Sequence, residues 1–314
     1  MMRILFLGNS HTYFHDMPHT FSRMCLQLTG ETPEVTMLAY SNKDLHWHRE
    51  EYFAVRFALL YGNYDYCVLQ QQAHPFPDEE YTRKSIRRIR SLCESVGTVP
   101  VLYMTWAMRD EPENYPPMSR FYHRLAEEWA MKMVPVGYLF HMIQKSHPEI
   151  DLFWSDGAHA SAYGDYLIAA AFASCLCNQR DLSALDDRAV DFQLDFEGED
   201  GMPLALEDAA SAEIVLEPEK AEAIRKSIEQ YSRIVYYENI LDRLTQALRS
   251  DESFRARSEM KEDKEKHDAY YQGPLWRTDF DADESGILPN MLKRGVLSED
   301  AVYNLLAEWD SVCD

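Results

Sequence analysis

Between residues 3 and 178, short β-rich apolar runs alternate with longer amphipathic segments, and this alternation limits what the chain can fold into more than any other feature. The runs Arg3–Leu7, Val35–Ala39, Tyr66–Leu69, Val99–Thr105 and Met133–Val136 read as strands. Between them, Pro18–Leu28, Leu45–Tyr61, Glu79–Val96 and Met118–Lys132 read as helices, each long enough for a right-handed crossover to a parallel neighbour. The expected fold is α/β, a three-layer α/β/α sandwich on a parallel sheet. Reactive groups in such sheets gather at the carboxyl ends of the strands. That selects Ser10 after the first strand, Asn42 after the second, Gln70 and Gln71 after the third, and Thr105-Trp106 after the fourth.

The pattern changes at residues 181–212, which are acidic, rich in Gly and Ala and weakly periodic, as a linker or peripheral segment would be. Residues 1–180 are expected to form the α/β domain and 213–314 a small all-α domain, in which Glu219–Leu248 and Glu252–Tyr271 read as long charged helices. The chain closes on "SEDAVYNLLAEWD", where Ser298 can cap a helix and Glu299 and Asp300 complement its dipole. At 314 residues, 46% of them hydrophobic, the chain can fill both cores.

Net charge is −22, of which about −6 lies on residues 1–190 and −16 on 191–314. A surface this acidic repels phosphate backbones, so nucleic acid is not an expected partner. The longest weakly polar stretch, Leu167–Cys177, falls well short of the roughly 20 residues that span a bilayer, so no membrane partner is expected either. Ile4–Gly8 is too short for the core of a signal peptide. The six cysteines lie mostly in apolar runs, and Cys175 and Cys177 have a spacing without metal or redox signature. Buried thiols in the cytoplasm are the expectation.

In "RILFLGNSHT" the serine Ser10 stands just past the first strand, as an N-cap or as a nucleophile. A nucleophilic serine needs a base and a group that orients the base. The stretch "DLFWSDGAHASAYGDYLIAAAFASCLC" supplies candidates, since Asp156 and His159 stand three residues apart in a turn before an Ala-rich helix. "FLGNSHT" and "DGAHASAYG", in that order about 150 residues apart, resemble the first and last motif blocks of the SGNH (GDSL-type) hydrolase superfamily. The resemblance covers roughly residues 3–178 and implies a flavodoxin-like sheet. It also implies a Ser10, His159, Asp156 triad and serine esterase activity on a small-molecule ester, with no cofactor and no metal. A short-chain ester, including an O-acetylated carbohydrate, is the substrate implied.

Several positions depart from the superfamily pattern. Gly-Asp-Ser is Gly8-Asn9-Ser10 here, which is similar to a bacterial Gly-Asn-Ser subgroup without assigned function. The oxyanion donors implied are the Ser10 N–H, the Asn42 N–H in "YSNKDLHWH", where the family has glycine, and a carboxamide of Gln70 or Gln71 in "DYCVLQQQAHPF". Asparagine tolerates the left-handed backbone that a glycine position requires. The subgroup's serine in the third block is Ala73 here, followed by His74. Farther on, "GPLWRTDFDADESGILPNMLKRGVLSEDAVYNLL" resembles a small bacterial helical domain of unknown function, with its signature at Leu292–Asp300.

His11 and Trp106 are expected to line the substrate pocket. His11, His15 and His19 recur every four residues, but Pro18 interrupts the helix that would align them on a metal. His46 and His48, early in a helix, are expected to diverge on the surface. Gly8-Asn9-Ser10 lacks the lysine and further glycines of a nucleotide-phosphate loop. Two functions fit: an esterase, or a protein that keeps the hydrolase fold with little or no turnover and makes a protein contact through its acidic helical module.

Overall fold

The computed structural model describes residues 1–191, 213–250 and 258–313. Five parallel strands, β1 (Arg3–Gly8), β2 (Glu34–Ala39), β3 (Tyr66–Gln70), β4 (Val99–Tyr103) and β5 (Lys132–Val134), form one sheet in the order β2-β1-β3-β4-β5. Each expected strand is present, with ends displaced by no more than a few residues. The order places the topological switch point between β1 and β3, so the loops leaving those two strands diverge above their carboxyl ends and leave a crevice.

Helices flank the sheet: α1 (Ser10–Tyr13), α2 (Met17–Thr29), α3 (Leu45–Glu50), α4 (Tyr52–Gly62), α5 (Glu79–Ser95), α6 (Tyr115–Trp129), α7 (Val136–Ser146) and α8 (Ala162–Leu176). α2 and α8 pack on one another, and α3, α4 and α5 form a second group, an arrangement that follows from right-handed crossovers. Central β1 is apolar and buried on both faces, as a strand covered on both sides must be. On the α2 and α8 side, Phe6 meets Phe21 and Phe172 edge to face, with centroids 5.9 and 5.5 Å away.

The segment expected as one helix over Leu45–Tyr61 is two, broken at Glu51 (ψ 43°). Asp44 caps α3 by accepting from Trp47 N–H at 2.8 Å, and His48 Nε2 binds the Gly8 carbonyl at 2.8 Å, pinning α3 to the end of β1. His48 is therefore a buried post, 1% exposed, and not the surface residue expected. The Gly8 carbonyl also accepts from Tyr40 N–H at 3.1 Å, so the helix started by Asp44 brings it a second partner.

The chain divides into two compact units, residues 1–228 and 229–314. Of the expected 181–212 linker, residues 192–212 lie outside the described residues. Residues 181–191 belong to the first unit: Leu182, Leu185, Ala189 and Val190 are buried, and Arg23 holds Asp186 at 2.8 Å. Strand β6 (Arg188–Val190) pairs antiparallel with β7 (Glu213–Val215).

Helix α9 (Pro218–Leu248) opens in the first unit and continues into the second, whose other helices are α10 (Ser258–Tyr271), α11 (Pro274–Glu284) and α12 (Glu299–Cys313). The part of the expected Glu252–Tyr271 helix before residue 258 lies outside the described residues. In the second unit Asp279 is fully buried and accepts from Gln230 Nε2 (3.0 Å), Arg233 Nε (2.8 Å), Arg233 Nη2 (2.7 Å) and Tyr270 Oη (2.8 Å). The signature Leu292–Asp300 has a structural explanation. Val296 N–H donates to Glu238 at 2.7 Å, Val296 C=O accepts from Trp276 Nε1 at 2.9 Å, and Lys293 and Arg294 pair with Asp242 and Asp283. It stitches α9 to α11.

Candidate active site

β1 ends at Gly8, where a Cβ would stand 2.4 Å from Thr12 Oγ1 and 2.5 Å from Gln70 Oε1, so only glycine fits beneath the turn. The next residue, Asn9, is the N-cap of α1: its Oδ1 accepts from His11 N–H at 3.1 Å. Its Nδ2 donates to Lys43 C=O at 2.9 Å, which ties this turn to the one after β2. Capping thus falls to Asn9 and not to Ser10, whose hydroxyl is left for another partner. That partner is His159, with Nε2 2.8 Å from Ser10 Oγ.

The turn carrying His159 is held from several sides. Asp156 Oδ1 accepts the N–H groups of Ala158 (2.8 Å) and His159 (2.9 Å), and its Oδ2 lies 2.6 Å from His159 Nδ1. A carboxylate only accepts, so Nδ1 carries the proton and Nε2 turns its lone pair toward Ser10. Trp106 Nε1 donates to Ala158 C=O at 3.0 Å, and Arg109 N–H donates to Gly157 C=O at 2.9 Å. Both come from the loop after β4. Ser161 caps α8 by accepting from Gly164 N–H at 3.2 Å, and His15 Nε2 binds Ala160 C=O at 3.1 Å.

His159 is sandwiched between Phe14, stacked at 4.5 Å, and His11, 4.9 Å away. His11 also approaches His74 and Trp106, at 5.2 and 5.1 Å. Burial drives the His11 imidazole well below its ordinary value, and the charge of His159 pushes the same way. Burial likewise lowers His74, to about 4. Both rings are neutral at physiological pH. For Asp156, burial pulls upward, but hydrogen bonds from the His159 side chain and from the Ala158 and His159 N–H groups hold the carboxyl below its usual range.

Trp106, 2% exposed and stacked on Phe140 at 4.3 Å, walls a cavity of about 360 Å³ together with Met108, Tyr115, Phe140, His141 and Lys145. His11 lies between Trp106 and His159. The Trp106 side chain thus meets both the cavity and the turn that holds the imidazole.

Asn42 has φ 56°, the left-handed backbone expected of an asparagine at a glycine position, in a turn closed by Lys43 N–H to Tyr40 C=O at 3.1 Å. No hydrogen-bond partner is found for the Ser10 or Asn42 N–H among the described residues. The two glutamines are hydrogen-bonded at both ends of the carboxamide. Gln70 Oε1 accepts from Asn9 N–H (2.7 Å) and Thr12 Oγ1 (3.1 Å), while its Nε2 donates to Gln71 C=O at 2.6 Å. Gln71 Oε1 accepts from the N–H groups of Leu45 (2.9 Å) and Gln72 (3.0 Å), and its Nε2 donates to Thr82 Oγ1 at 2.9 Å. Both side chains are fully buried. The N–H groups of Asn9, Leu45 and Gln72 take the carboxamide oxygens, and each Nε2 spends one of its two N–H groups on Gln71 C=O or Thr82 Oγ1.

Among the described residues, no group of three or more His, Cys, Asp or Glu is placed to hold a metal ion. His15 turns to Ala160 and His19 is exposed. No helix among the described residues is long and apolar enough to cross a membrane.

Comparison with known proteins gives a fold and one domain of unknown function. No curated protein matches the chain. A protein of the DUF4886 family from Bacteroides uniformis ATCC 8492 is similar in structure, with 15% identity, a TM-score of 0.50, and coverage of 73% of this chain and 93% of that one. LAE5, an α/β hydrolase enzyme from the metagenome of Lake Arreo, Spain, has 15% identity and a TM-score of 0.48 over 57% of this chain and 96% of its own. A member of the lipolytic protein G-D-S-L family from Veillonella parvula DSM 2008 has 15% identity and a TM-score of 0.45 over 56% and 99%. Residues 234–313 match the domain of unknown function DUF4298, and the α/β part shares its fold with the DUF4886 family protein.

Proposed function

We propose that the first unit is a serine esterase acting on a small, short-chain ester. The observation that carries this is the unbroken relay from Asp156 Oδ2 to His159 Nδ1 (2.6 Å) and from His159 Nε2 to Ser10 Oγ (2.8 Å). Ser10 Oγ attacks the ester carbonyl while His159 Nε2 takes the hydroxyl proton, and Asp156 stabilises the imidazolium that forms. His159 returns that proton to the leaving alkoxide, leaving Ser10 acylated. Water, deprotonated by the same imidazole, then releases the acid. The Ser10 and Asn42 N–H groups supply the oxyanion donors. In this reading Gln70 fixes the position of the Ser10 turn, and Trp106 and His11 wall the space beside the reacting carbonyl. O-acetylated carbohydrate is the substrate class implied by the sequence resemblance.

One observation favours the reading in which the fold persists with little turnover: each carboxamide spends one of its two N–H groups on the core, which leaves at most one from each for an oxyanion. A single experiment separates the two. The esterase reading expects labelling by a fluorophosphonate and turnover of p-nitrophenyl acetate, both lost in Ser10→Ala. Absence of both in the unaltered chain overturns it.

A further inference from the structure

The helices that follow the two reacting turns meet at a pair of thiols. Cys25 is on α2, one turn beyond Phe21, and Cys177 is the C-cap residue of α8, five residues beyond Phe172. Phe21 and Phe172 pack edge to face at 6.2 Å, which fixes the two helices side by side. The sulfurs of Cys25 and Cys177 lie 3.2 Å apart although 152 residues separate them in the chain. Cys25 is 1% exposed, whereas Cys177 is half-buried. Cys175, only two residues from Cys177, points elsewhere, with its sulfur 3.8 Å from Met133 C=O.

We propose that Cys25 and Cys177 are a modification site: a dithiol that a hydroperoxide converts to a reversible disulfide joining α2 to the end of α8. Contact with Cys25 lowers the Cys177 thiol and the Lys132 ammonium pulls it further down, while the same contact and burial raise Cys25. Cys177 is therefore the thiol that reacts first. The Cys177 thiolate attacks one peroxide oxygen, the O–O bond breaks, and the other oxygen leaves as hydroxide and takes up a proton. Cys25 then loses its proton and attacks the sulfenic sulfur of Cys177. The S–S bond forms, and the S–O bond breaks with release of a second water. With hydrogen peroxide, two thiols and one peroxide give one disulfide and two waters. The sulfurs need to close from 3.2 Å to about 2.0 Å, a movement within reach of side-chain rotation at a helix C-cap.

The test treats the full chain with equimolar hydrogen peroxide, followed by alkylation and peptide mapping. The expected result is a Cys25–Cys177 cross-linked peptide, loss of two titratable thiols, recovery of both with dithiothreitol, and a thermal midpoint raised by about 5 °C or more in the oxidised form. Cys25→Ser is expected to leave a Cys177 sulfenic acid that dimedone traps, and Cys175→Ser to leave the cross-link intact. Modification of Cys177 without linkage to Cys25 in the unaltered chain, or a cross-link that uses Cys175, overturns the proposal. None of these readouts depends on Ser10, so the outcome is independent of the esterase reading.

Discussion

Gln70 anchors the turn that carries Ser10. Its Oε1 holds Asn9 N–H and Thr12 Oγ1, one residue before and two after Ser10. In Gln70→Ala those two buried donors lose their acceptor, at about 1–3 kcal/mol for each group left unpaired. The expected outcome is a lower urea midpoint together with a fall in kcat, since the Ser10 turn loses its anchor. A fall in kcat with an unchanged midpoint would instead place the carboxamide at the oxyanion. That Ser10, Asp156 and His159 come together was foreshadowed in the sequence, where a short motif keeps the carboxylate and the imidazole three residues apart. The commitments of Gln70 and Gln71 were not, because they depend on N–H groups that lie 61 and 26 residues away along the chain. The same holds for Cys25 and Cys177, whose contact only the packing of α2 on α8 creates.

At the scale of elements, the strands were readable because each is a short apolar run bounded by turn residues, and a parallel sheet buries such runs on both faces. The break between α3 and α4 was not readable. Amphipathic periodicity continues through Glu51, and the bond that pins α3 to the end of β1 joins residues 40 positions apart. α7 begins at Val136, which reads locally as the end of a strand because nothing but the preceding Pro135 announces the change. In the helical unit, α9 and α11 are joined through Asp279, whose four hydrogen bonds include two from one guanidinium. Asp279→Ala leaves Arg233 without its carboxylate in a largely buried place, at about 3 kcal/mol or more. Urea unfolding followed by far-UV circular dichroism should show the helical transition moving to lower denaturant.

For the first unit as a whole, stability should rise with pH between about 4.5 and 6.5. Burial depresses His11, His15, His48, His74 and His141, so in this window the unfolded chain binds protons that the folded one refuses. Asp16 and Asp165, raised by burial, act in the opposite direction, because unfolding lets them ionise. Five imidazoles outweigh two carboxyls, and the slope is positive. Thermal midpoints measured across the window check this, and a flat or falling profile would contradict it. The division into an α/β part and a helical part was legible in the shift from alternating runs to long charged helices. The place of residues 181–191 was not, because four apolar side chains among acidic neighbours give little signal and the polar contacts that attach Asp186 come from residues far away in the sequence.

The β6–β7 ladder sets Val190 opposite Glu213, so two positions far apart in the sequence are held side by side. The ladder thus fixes both ends of the segment that joins them. Loop-closure entropy grows only logarithmically with length, about 0.6 kcal/mol for each doubling. A change of length after Asp191 is therefore expected to cost little in closure entropy, whereas Asp191 itself has to stay, because its carboxylate faces the buried His15 at 3.6 Å.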